Sequence, residues 1–491
     1  MTTTSVATVI PELLERRAAE DPEGVALNVE AERVLRFGEW QERSLAVAHA
    51  LLAAGVGRDS RVGLLFSGTD WIDYAVAYLG VLRAGAAGVH VNDKLSAAEI
   101  DRRLAEAGAS YLICGAGGVP ATLVRFTGPA VPLAALGPGA GGGPLPVSVR
   151  PEDIADVHYT SGTTGPAKAY LVPHANVTFG RDPATMRNFT AGGSMLVPME
   201  PGSSSAASSV LAAIVSPMTS VLCLPEDVEH AAGLVAGLGI SAMAITPWLA
   251  SQLIAARVNE RHDLSSVRMI ACASAPLPAA IARDLLAMMP GARLTGAFSQ
   301  SEASPALLVS VFDPDKPLAV GRPSASTELL LVDDAGLPVP AGELGQIWLR
   351  HPAPRRLYLD PARNATLLAD GWYRTGDYGW LGDDGDLFLF DRSADLIRTA
   401  DGLVSSLAVE AELYEHPAVR EAAVVAAPGA GTARIVAFVA LTDPAALDAV
   451  GALAAERLAP HQRPQEYVPV EALPRSDKGK VLKRELRRTL A

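Results

Sequence analysis

The chain has 491 residues, of which 49% are hydrophobic, so it is long enough for several domains with large buried cores. Its 41 basic and 54 acidic residues give a formal net charge of −13, which argues against sequence-independent binding of nucleic acid. The three cysteines, Cys114, Cys223 and Cys272, lie in apolar surroundings without metal-ligand spacing. They indicate reduced, packed thiols rather than a disulfide framework.

The first residues contain no basic start followed by an apolar block, so the sequence predicts a cytoplasmic protein without a signal peptide. The longest apolar tract, residues 206–224, is interrupted by Ser216-Pro217 and Thr219-Ser220. These breaks predict a buried helix, a turn and a strand rather than a membrane span, and no membrane partner is expected.

Short apolar runs and helical patterns alternate through the first two thirds of the chain. The runs at 61–66 and 87–92 flank a helical pattern at 70–86, and the same alternation recurs between 219 and 289. This pattern predicts an α/β fold in which helices flank the sheets.

The pattern changes after about Ser324. From there to Phe390, shorter strands joined by turns rich in Asp and Gly predict a β-rich subdomain. The residues beyond Asp391 have the length and pattern of a small α+β domain. The predicted boundary therefore separates residues 1–391 from residues 392–491.

The segment HYTSGTTGPAKAY, residues 158–170, places small hydroxyl residues among glycines and then a lysine. Such a loop lets backbone N–H groups approach an anion closely, and the hydroxyls add donors. It is not a Walker P-loop, because two residues separate Gly165 from Lys168 and Ala169 stands where that motif has Ser or Thr. Composition alone leaves a phosphate-binding loop and a flexible surface turn open.

The order of these residues resembles the phosphate loop of the adenylate-forming superfamily. This superfamily includes acyl-CoA synthetases, adenylation domains of peptide synthetases, luciferases and amide bond synthetases. Four segments and the hinge region extend the resemblance, in the expected order, over most of the chain. They are SAPLP (Ser274–Pro278), FSQSE (Phe298–Glu302), DGWYRTGD (Asp370–Asp377), the hinge region that begins DRSADLIRTADG (Asp391–Gly402) and LPRSDKGKVLKREL (Leu473–Leu486).

The resemblance implies attack by a carboxylate on the α-phosphorus of ATP, with Mg²⁺ present, to give acyl-AMP and pyrophosphate. It also implies that residues 1–391 form the AMP-binding domain and that residues 392–491 form a mobile lid carrying a catalytic lysine. Because a carboxylate is a poor nucleophile and pyrophosphate is highly charged, alignment and positive electrostatics should supply most of the catalysis.

The resemblance assigns roles to individual residues. Ser301 would donate to the α-phosphate, Glu302 would ligate Mg²⁺ and assist catalysis, and Asp377 would accept both ribose hydroxyls. Arg392 would support the ribose or a phosphate, and Lys480 would bridge the substrate carboxylate and the α-phosphate.

The β- and γ-phosphates would be held by Thr160, Ser161, Gly162, Thr163, Thr164 and Lys168. The adenine would lie beside Ser274, Ala275, Pro276 and Ala297 and would stack on Phe298. The acid pocket would be lined by Trp248, Ala273, Ser274, Gly296 and Ala297, a mix of small and aromatic residues compatible with a flat aryl acid.

The residues by themselves also allow ordinary structural roles. Phe298 could be a core aromatic, Glu302 a surface acid and Asp377 a turn cap, and Lys480 could belong to a solvated basic run.

The chain departs from the pattern of CoA ligases at the hinge. Where those enzymes carry small residues beside the pantetheine path, this chain has Thr399, Ala400 and Asp401, an arrangement whose acidic side chain can crowd or repel that route. Ala394 stands where relatives have the Asp or Lys on which the small domain pivots, which allows an altered domain movement.

A further departure is Glu200, followed by Pro201 and Gly202, where many relatives have an aromatic residue or a histidine. A carboxylate there could accept the proton of an attacking amine, and this arrangement is similar to that of stand-alone amide bond synthetases. Alternatively, Glu200 could bind the amino group of an amino-acid substrate, or it could be a solvent-facing residue before a turn.

The favoured hypothesis is an ATP-dependent ligase that activates a carboxylic acid and transfers it to a small amine. The alternative is an acyl- or aryl-CoA ligase, and a third hypothesis is a catalytically silent nucleotide-binding relative. No carrier domain is recognisable before Ala491, so a stand-alone enzyme is expected.

Overall fold

The computed structural model describes residues 8–120, 123–137, 143–160, 167–181, 193–369, 371–428, 433–476 and 479–490. The α-helices in these ranges are α1 (Ile10–Glu20), α2 (Phe37–Ala53), α3 (Trp71–Arg83), α4 (Ala97–Glu106), α5 (His174–Val177), α6 (Ser204–Val215), α7 (Val228–Leu238), α8 (Pro247–Ala255), α9 (Ala279–Met288), α10 (Pro361–Leu367), α11 (Ser406–Leu413), α12 (Leu447–Arg457) and α13 (Lys483–Arg488).

The strands of the first part of the chain are β1 (Val25–Val29), β2 (Arg33–Arg36), β3 (Arg61–Leu65), β4 (Ala87–Val91), β5 (Tyr111–Cys114), β6 (Ala130–Pro132), β7 (Ile154–Tyr159), β8 (Ala169–Pro173), β9 (Ser194–Pro198), β10 (Thr219–Cys223), β11 (Ala242–Ile245), β12 (Met269–Cys272) and β13 (Arg293–Phe298). The later strands are β14 (Leu308–Val311), β15 (Ala319–Pro323), β16 (Glu328–Val332), β17 (Gly345–Arg350), β18 (Leu357–Tyr358), β19 (Leu368–Ala369), β20 (Trp372–Leu381), β21 (Leu387–Arg392), β22 (Ile397–Thr399), β23 (Gly402–Val404), β24 (Val419–Ala427), β25 (Arg434–Leu441) and β26 (Glu466–Pro469).

Two compact units make up the chain, and each is assembled from separated segments. The first unit comprises Met1–Thr160, Lys168–Ala244 and Pro352–Ala365. The second comprises Ser161–Ala167, Ile245–His351 and Thr366–Ala491.

The first unit contains a seven-stranded sheet in the order β18-β8-β7-β4-β3-β5-β6, parallel from β7 to β6 and antiparallel at β8 and β18. A second group of strands, β2-β1-β10-β9-β11, is parallel except at β2. Every residue of β4 and almost all of α3 are buried, as expected when helices cover a parallel sheet. The largest side chains of this core include Trp40, Trp71 and Tyr74.

In the second unit, β12 pairs in parallel with β13, and antiparallel strands continue in the order β14-β15-β21-β20-β17-β16. A separate sheet, β24-β25-β26, forms near the end of the chain. Alternate residues of its strands enter two different cores, because successive side chains of a strand point to opposite faces. Val424 packs in a cluster with residues of α11 and α12, whereas Val425 packs with Leu486 of α13.

The predicted α/β fold and the β-rich region are confirmed. Between Ser324 and Phe390 the structure adds the helix α10, which begins at Pro361 after Asp360 accepts a hydrogen bond from the N–H of Ala362 (3.1 Å). The apolar tract forms most of α6, then a turn, then β10, and no helix in the described residues is long and apolar enough to cross a membrane. All three cysteines are buried free thiols, as predicted.

Candidate active site

A cavity of about 480 Å³ lies within the second unit, and its volume is in the usual range of small-molecule sites, roughly 300–1,000 Å³. Strand ends, the loop after β12 and the segment before α13 line it. Ten of the residues predicted from sequence line this one cavity: Trp248, Ser274, Ala275, Pro276, Gly296, Ala297, Phe298, Asp377, Arg392 and Lys480.

Asp377 is the most buried carboxylate predicted for the site, with 5% of its side chain exposed. It lies on β20 opposite Arg392 of β21, and Arg392 Nε is 3.2 Å from Asp377 Oδ1. The Gln300 amide donates to Oδ2 at 2.7 Å, whereas Oδ1 has no hydrogen-bond donor among the described residues. Burial raises the pKa of Asp377, although Arg392, Gln300 and the positive charge of Lys480 oppose the rise.

Lys480 lies in a turn whose described residues are Arg475, Ser476 and Gly479 to Val481, and Arg475 and Val481 are bridged to each other in antiparallel fashion. Its charge lowers the pKa of Asp377, so the two groups interact within the second unit. Both residues line the same cavity.

The loop after β12 contributes an exposed segment, Ser274 to Pro276, to the cavity. Ser274 has a φ of +85°, a left-handed conformation that a residue with a Cβ seldom adopts. Phe298, at the end of β13, lines the cavity and also packs against a hydrophobic cluster that includes Ala306 and Leu308. Phe298 thus has the core contacts of its alternative interpretation in addition to its place in the cavity.

Among the described residues of the second unit, three predicted residues do not line this cavity. Ser301 and Glu302 lie in the turn that follows β13 and are partly buried. Ala273 is partly buried, and its N–H donates to the carbonyl of Ile245 at 3.2 Å.

The predicted phosphate residues belong partly to the first unit. Thr160 donates its N–H to the carbonyl of Lys168 (3.1 Å), and Lys168 returns an N–H to Thr160 Oγ1 (3.1 Å), across the ends of β7 and β8. The Lys168 ammonium lies 6.0 Å from the centroid of the Tyr358 ring. Ser161, Gly162, Thr163 and Thr164 lie outside the described residues.

Glu200 is not solvent-facing, since only 11% of its side chain is exposed. Its carboxylate lies 3.1 Å from the Lys94 ammonium, which also lies 3.3 Å from Glu226. Burial raises the pKa of Glu200, and the acidic neighbours Glu226 and Asp93 raise it further, while Lys94 lowers it.

The backbone around Glu200 is fixed within the first unit. The Trp71 indole donates to the carbonyl of Met199 at 2.9 Å. A Cβ on Gly202, whose φ is +78°, would lie 2.3 Å from the carbonyl oxygen of Val91, so this close approach requires glycine. Ser203, part of the serine-rich stretch, caps α6 by accepting the N–H of Ala206 at 3.0 Å.

Several polar residues that line the cavity were not predicted from the sequence, among them Gln300, Arg475, Lys483 and Glu410. Gln300 sits inside the quoted segment FSQSE, so its position beside Phe298 was the available signal. Arg475 and Lys483 flank Lys480 in the quoted terminal segment, and both line the cavity. Glu410 also lines it, and nothing near Glu410 in the sequence indicates that role.

A family model described as "AMP-binding enzyme" matches residues 14–359, and one described as "AMP-binding enzyme C-terminal domain" matches residues 408–480. Feruloyl-CoA synthase from Amycolatopsis sp is 30% identical over 96% of this chain and 97% of its own. 4-Coumarate–CoA ligase 5 from Oryza sativa subsp. japonica is 29% identical over 93% of this chain and 90% of its own.

Solved structures share the fold across almost the whole chain. Amide bond synthetase McbA from Marinactinospora thermotolerans has a TM-score of 0.82 and 26% identity, covering 98% of this chain and 99% of its own. The anthranilate CoA ligase AuaEII, in complex with anthranoyl-AMP, has a TM-score of 0.88 at 23% identity, covering 100% and 99%. The predicted fold class is thus confirmed. A solved structure of the same fold, O-succinylbenzoate coenzyme A synthetase from Bacillus subtilis (TM-score 0.84, 22% identity, covering 97% of this chain and 98% of its own), is in complex with ATP and a magnesium ion. The chain belongs to the AMP-binding enzymes of the adenylate-forming superfamily, and it is an AMP-forming carboxylic acid ligase.

Proposed function

We propose that this ligase activates an aromatic carboxylic acid as acyl-AMP and then transfers the acyl group to a small amine, forming an amide. The observation that carries the second step is Glu200, a mostly buried carboxylate whose pKa is raised above its ordinary value. The first step is the family reaction, and the following residue roles are proposed for it.

The charge of the cavity supports binding of a nucleotide triphosphate. Seven basic and five acidic side chains line it, although the whole chain carries −13. The Oδ1 atom of Asp377 is buried without a hydrogen-bond donor among the described residues, and a ribose hydroxyl would satisfy it. Lys480 and Arg392 would neutralise the negative charge that gathers as the carboxylate meets the α-phosphate.

In the first step the substrate carboxylate oxygen bonds to the α-phosphorus and the bond to pyrophosphate breaks. Thr160, Ser161, Gly162, Thr163, Thr164 and Lys168 are proposed to hold the β- and γ-phosphates, and Ser301 to donate to the α-phosphate. Ser274, Ala275, Pro276, Ala297 and Phe298 are proposed to surround the adenine, and residues 392–491 to form the lid that carries Lys480.

Glu302 is the proposed Mg²⁺ ligand. A partly buried carboxylate offers the oxygen donor that Mg²⁺ prefers, and phosphate oxygens and water commonly complete such a site, so the residue fits the ion. When bound, Mg²⁺ supplies positive charge to the phosphates.

The acid is proposed to lie beside Trp248, Ala273, Ser274, Gly296 and Ala297. A Cβ on Gly296 would lie 2.6 Å from Ser310 Oγ, so a larger residue there would require the serine side chain to rotate. Small residues together with an indole favour a flat aromatic acid. The names of the two relatives, which refer to ferulate and 4-coumarate, support the same class.

In the second step the amine nitrogen attacks the acyl carbonyl, Glu200 accepts a proton from that nitrogen, and the bond from the acyl carbon to AMP breaks. A raised pKa makes the carboxylate a stronger base than an exposed glutamate. The fold and 26% identity shared with an amide bond synthetase support this reading.

Transfer to the thiol of CoA is the second candidate, because both of the curated relatives described above are named for CoA thioester formation. Against it, Asp401 lies exposed in the turn between β22 and β23, where the family pattern has small residues beside the pantetheine path.

The experiment is a pyrophosphate-release screen across aryl carboxylic acids, followed by mass spectrometry of reactions supplied with a small amine, with CoA or with both. The proposal predicts an amide that E200Q forms much more slowly, with acyl-AMP formation retained in E200Q. A thioester as the main product, or full amide synthesis by E200Q, would contradict the proposal. Absence of pyrophosphate release with every acid would instead favour the silent relative.

A further inference from the structure

We propose that Arg475 is a positioning residue that sets the location of the Lys480 ammonium during acyl-AMP formation. The inference rests on the proposed role of Lys480. It comes from the contacts of the turn that carries this lysine, all of which lie within the second unit.

The turn is closed by its own hydrogen bonds. Ser476 donates its N–H to the carbonyl of Lys480 (2.8 Å), Gly479 donates to the carbonyl of Ser476 (2.9 Å), and Lys480 donates to Ser476 Oγ (3.3 Å). Gly479 has a φ of +73°, which glycine adopts without strain. These bonds tie Gly479 and Lys480 to Ser476, so the place of all three relative to β24 depends on contacts outside the turn.

Arg475 supplies such a contact with two nitrogens of one planar group. Nη1 donates to the carbonyl of Gly479 at 2.7 Å, and Nη2 donates to Glu421 Oε1 at 2.6 Å. Glu421 has only 7% of its side chain exposed, and its other oxygen accepts the N–H of Leu473 at 2.9 Å. A guanidinium fixes the angle between its donors. The Arg475 side chain therefore fixes the position of the Gly479 carbonyl, one residue before Lys480, relative to Glu421 on β24.

Two further contacts surround the turn. A Cβ on Gly479 would lie 3.4 Å from Trp248 Cβ, an ordinary contact distance, so the glycine lies beside the first turn of α8. On the other side, Lys483 donates to Ser406 Oγ at 2.7 Å and lies 2.6 Å from Glu410 Oε1. Displacing the turn would disturb ion pairs on both sides of Lys480, and breaking a buried ion pair is costly.

The consequence for catalysis is geometric. A displacement of about 1 Å of a catalytic group can cost roughly 10²-fold in rate, whereas ATP binding by other residues need not change. Loss of Arg475 should therefore lower kcat for acyl-AMP formation while leaving the KM for ATP nearly constant.

The test compares R475Q, R475K and K480A with the double variant R475Q/K480A. R475K keeps a positive charge beside Glu421 but lacks the second fixed donor to Gly479. The matched control is R434Q, which removes another arginine of the same region whose more exposed ion pair with Glu466 spans 2.9 Å. Single-turnover pyrophosphate release, the KM for ATP and thermal unfolding are measured for each variant.

The inference predicts that R475Q and R475K lower kcat by about 10- to 100-fold, with the KM for ATP within about twofold of wild type and R434Q unchanged. In the K480A background, R475Q should cost no more than about twofold, because Arg475 acts through Lys480. The inference would be overturned if R475Q and R475K had the wild-type kcat. It would also be overturned if R475Q lowered kcat by the same factor in the wild-type and K480A backgrounds. A wild-type rate in K480A would overturn the role of Lys480 itself and the inference with it, so the two failures are distinguishable.

Discussion

Asp377 and Arg392 face each other across antiparallel strands β20 and β21, with Arg392 Nε 3.2 Å from Asp377 Oδ1. Gln300 holds the other carboxylate oxygen from a segment 77 positions earlier in the chain. The carboxylate is thus held in a defined orientation, and Oδ1 keeps unused capacity to accept a hydrogen bond from a ligand.

Replacing Asp377 with asparagine should raise the KM for ATP by about 10- to 100-fold. A hydrogen bond to a charged group is worth roughly 1.5–3 kcal/mol, and the amide retains one acceptor oxygen without the charge. The measurement is initial-rate pyrophosphate release against ATP concentration. D401N, which changes an exposed aspartate, is the control, and an unchanged KM in D377N would argue against ribose binding by Asp377.

Replacing Ser274 with glycine should raise the melting temperature of the protein. Ser274 has a φ of +85°, and a non-glycine residue in such a conformation costs of order 1–3 kcal/mol. Glycine removes this strain, although the greater freedom of the unfolded chain cancels part of the gain. S274V should melt below wild type, because a branched Cβ tolerates positive φ least.

Ser393 provides the comparison for that prediction, because it is exposed and its φ is not positive. S393G should lower the melting temperature slightly or leave it unchanged. If S274G melted below wild type by as much as S393G or more, the backbone at Ser274 would not be strained.

Amide formation should depend on pH through Glu200, which is a base only when ionised. Burial raises the pKa of Glu200, so aminolysis of preformed acyl-AMP should fall as the pH is lowered through that raised value. Lys94 lowers the pKa of Glu200 through a hydrogen bond and its charge. K94M removes both effects, so the fall of its aminolysis rate at low pH (the acid limb of the pH–rate profile) should move to higher pH.

The same amine is used for every variant in that experiment, so its own ionisation affects all profiles equally. R434M, which changes an arginine paired with Glu466 (2.9 Å) in the second unit, is the control and should keep the wild-type profile. An acid limb in K94M at the wild-type position, or at lower pH, would exclude Glu200 as the titrating base.

The stability of the first unit should fall in mild acid because of His174. This residue is 1% exposed, its Nδ1 accepts the N–H of Ile10 at 3.3 Å, and burial lowers its pKa from 6.5 to about 4. The unfolded chain takes up a proton below pH 6.5 while the folded chain does not. The free energy of unfolding should therefore decrease between pH 6.5 and 4, by about 3 kcal/mol at most.

Urea unfolding measured across that pH range tests the effect of His174. H174N should show a shallower decrease than wild type, and H49N, which changes a histidine nearer the surface, should keep the wild-type slope. Equal slopes in H174N and wild type would mean that His174 does not account for the acid sensitivity.

Much of the fold could be predicted because its pattern is local. The apolar run at 61–66, the helical pattern at 70–86 and the breaks near Ser216 each reflect burial of neighbouring residues. The assembly of each compact unit from three separated segments could not be predicted from such patterns. Residues 352–365 join the first unit because β18 pairs with β8, a contact that spans almost 190 positions.

The resemblance to a family predicted those site residues that stand in recognisable segments. It could not predict residues whose role depends on contacts between distant parts of the chain. Asp377, Arg392 and Lys480 stand in recognisable segments, and all three line one cavity. Arg475 stands in such a segment too, but its partner Glu421 is 54 positions away and becomes visible only when β24 is in place. The burial of Glu200 likewise depends on contacts around Val91 and Trp71 that no local pattern encodes.

The most direct measurement of the central claim is acyl-AMP formation by K480A in a single turnover, quenched and quantified by mass spectrometry beside wild type. The account predicts that wild type forms acyl-AMP and pyrophosphate in equal amounts and that K480A does so about 10²- to 10³-fold more slowly, because one preorganised positive group is lost. Acyl-AMP formation by K480A at the wild-type rate would contradict it.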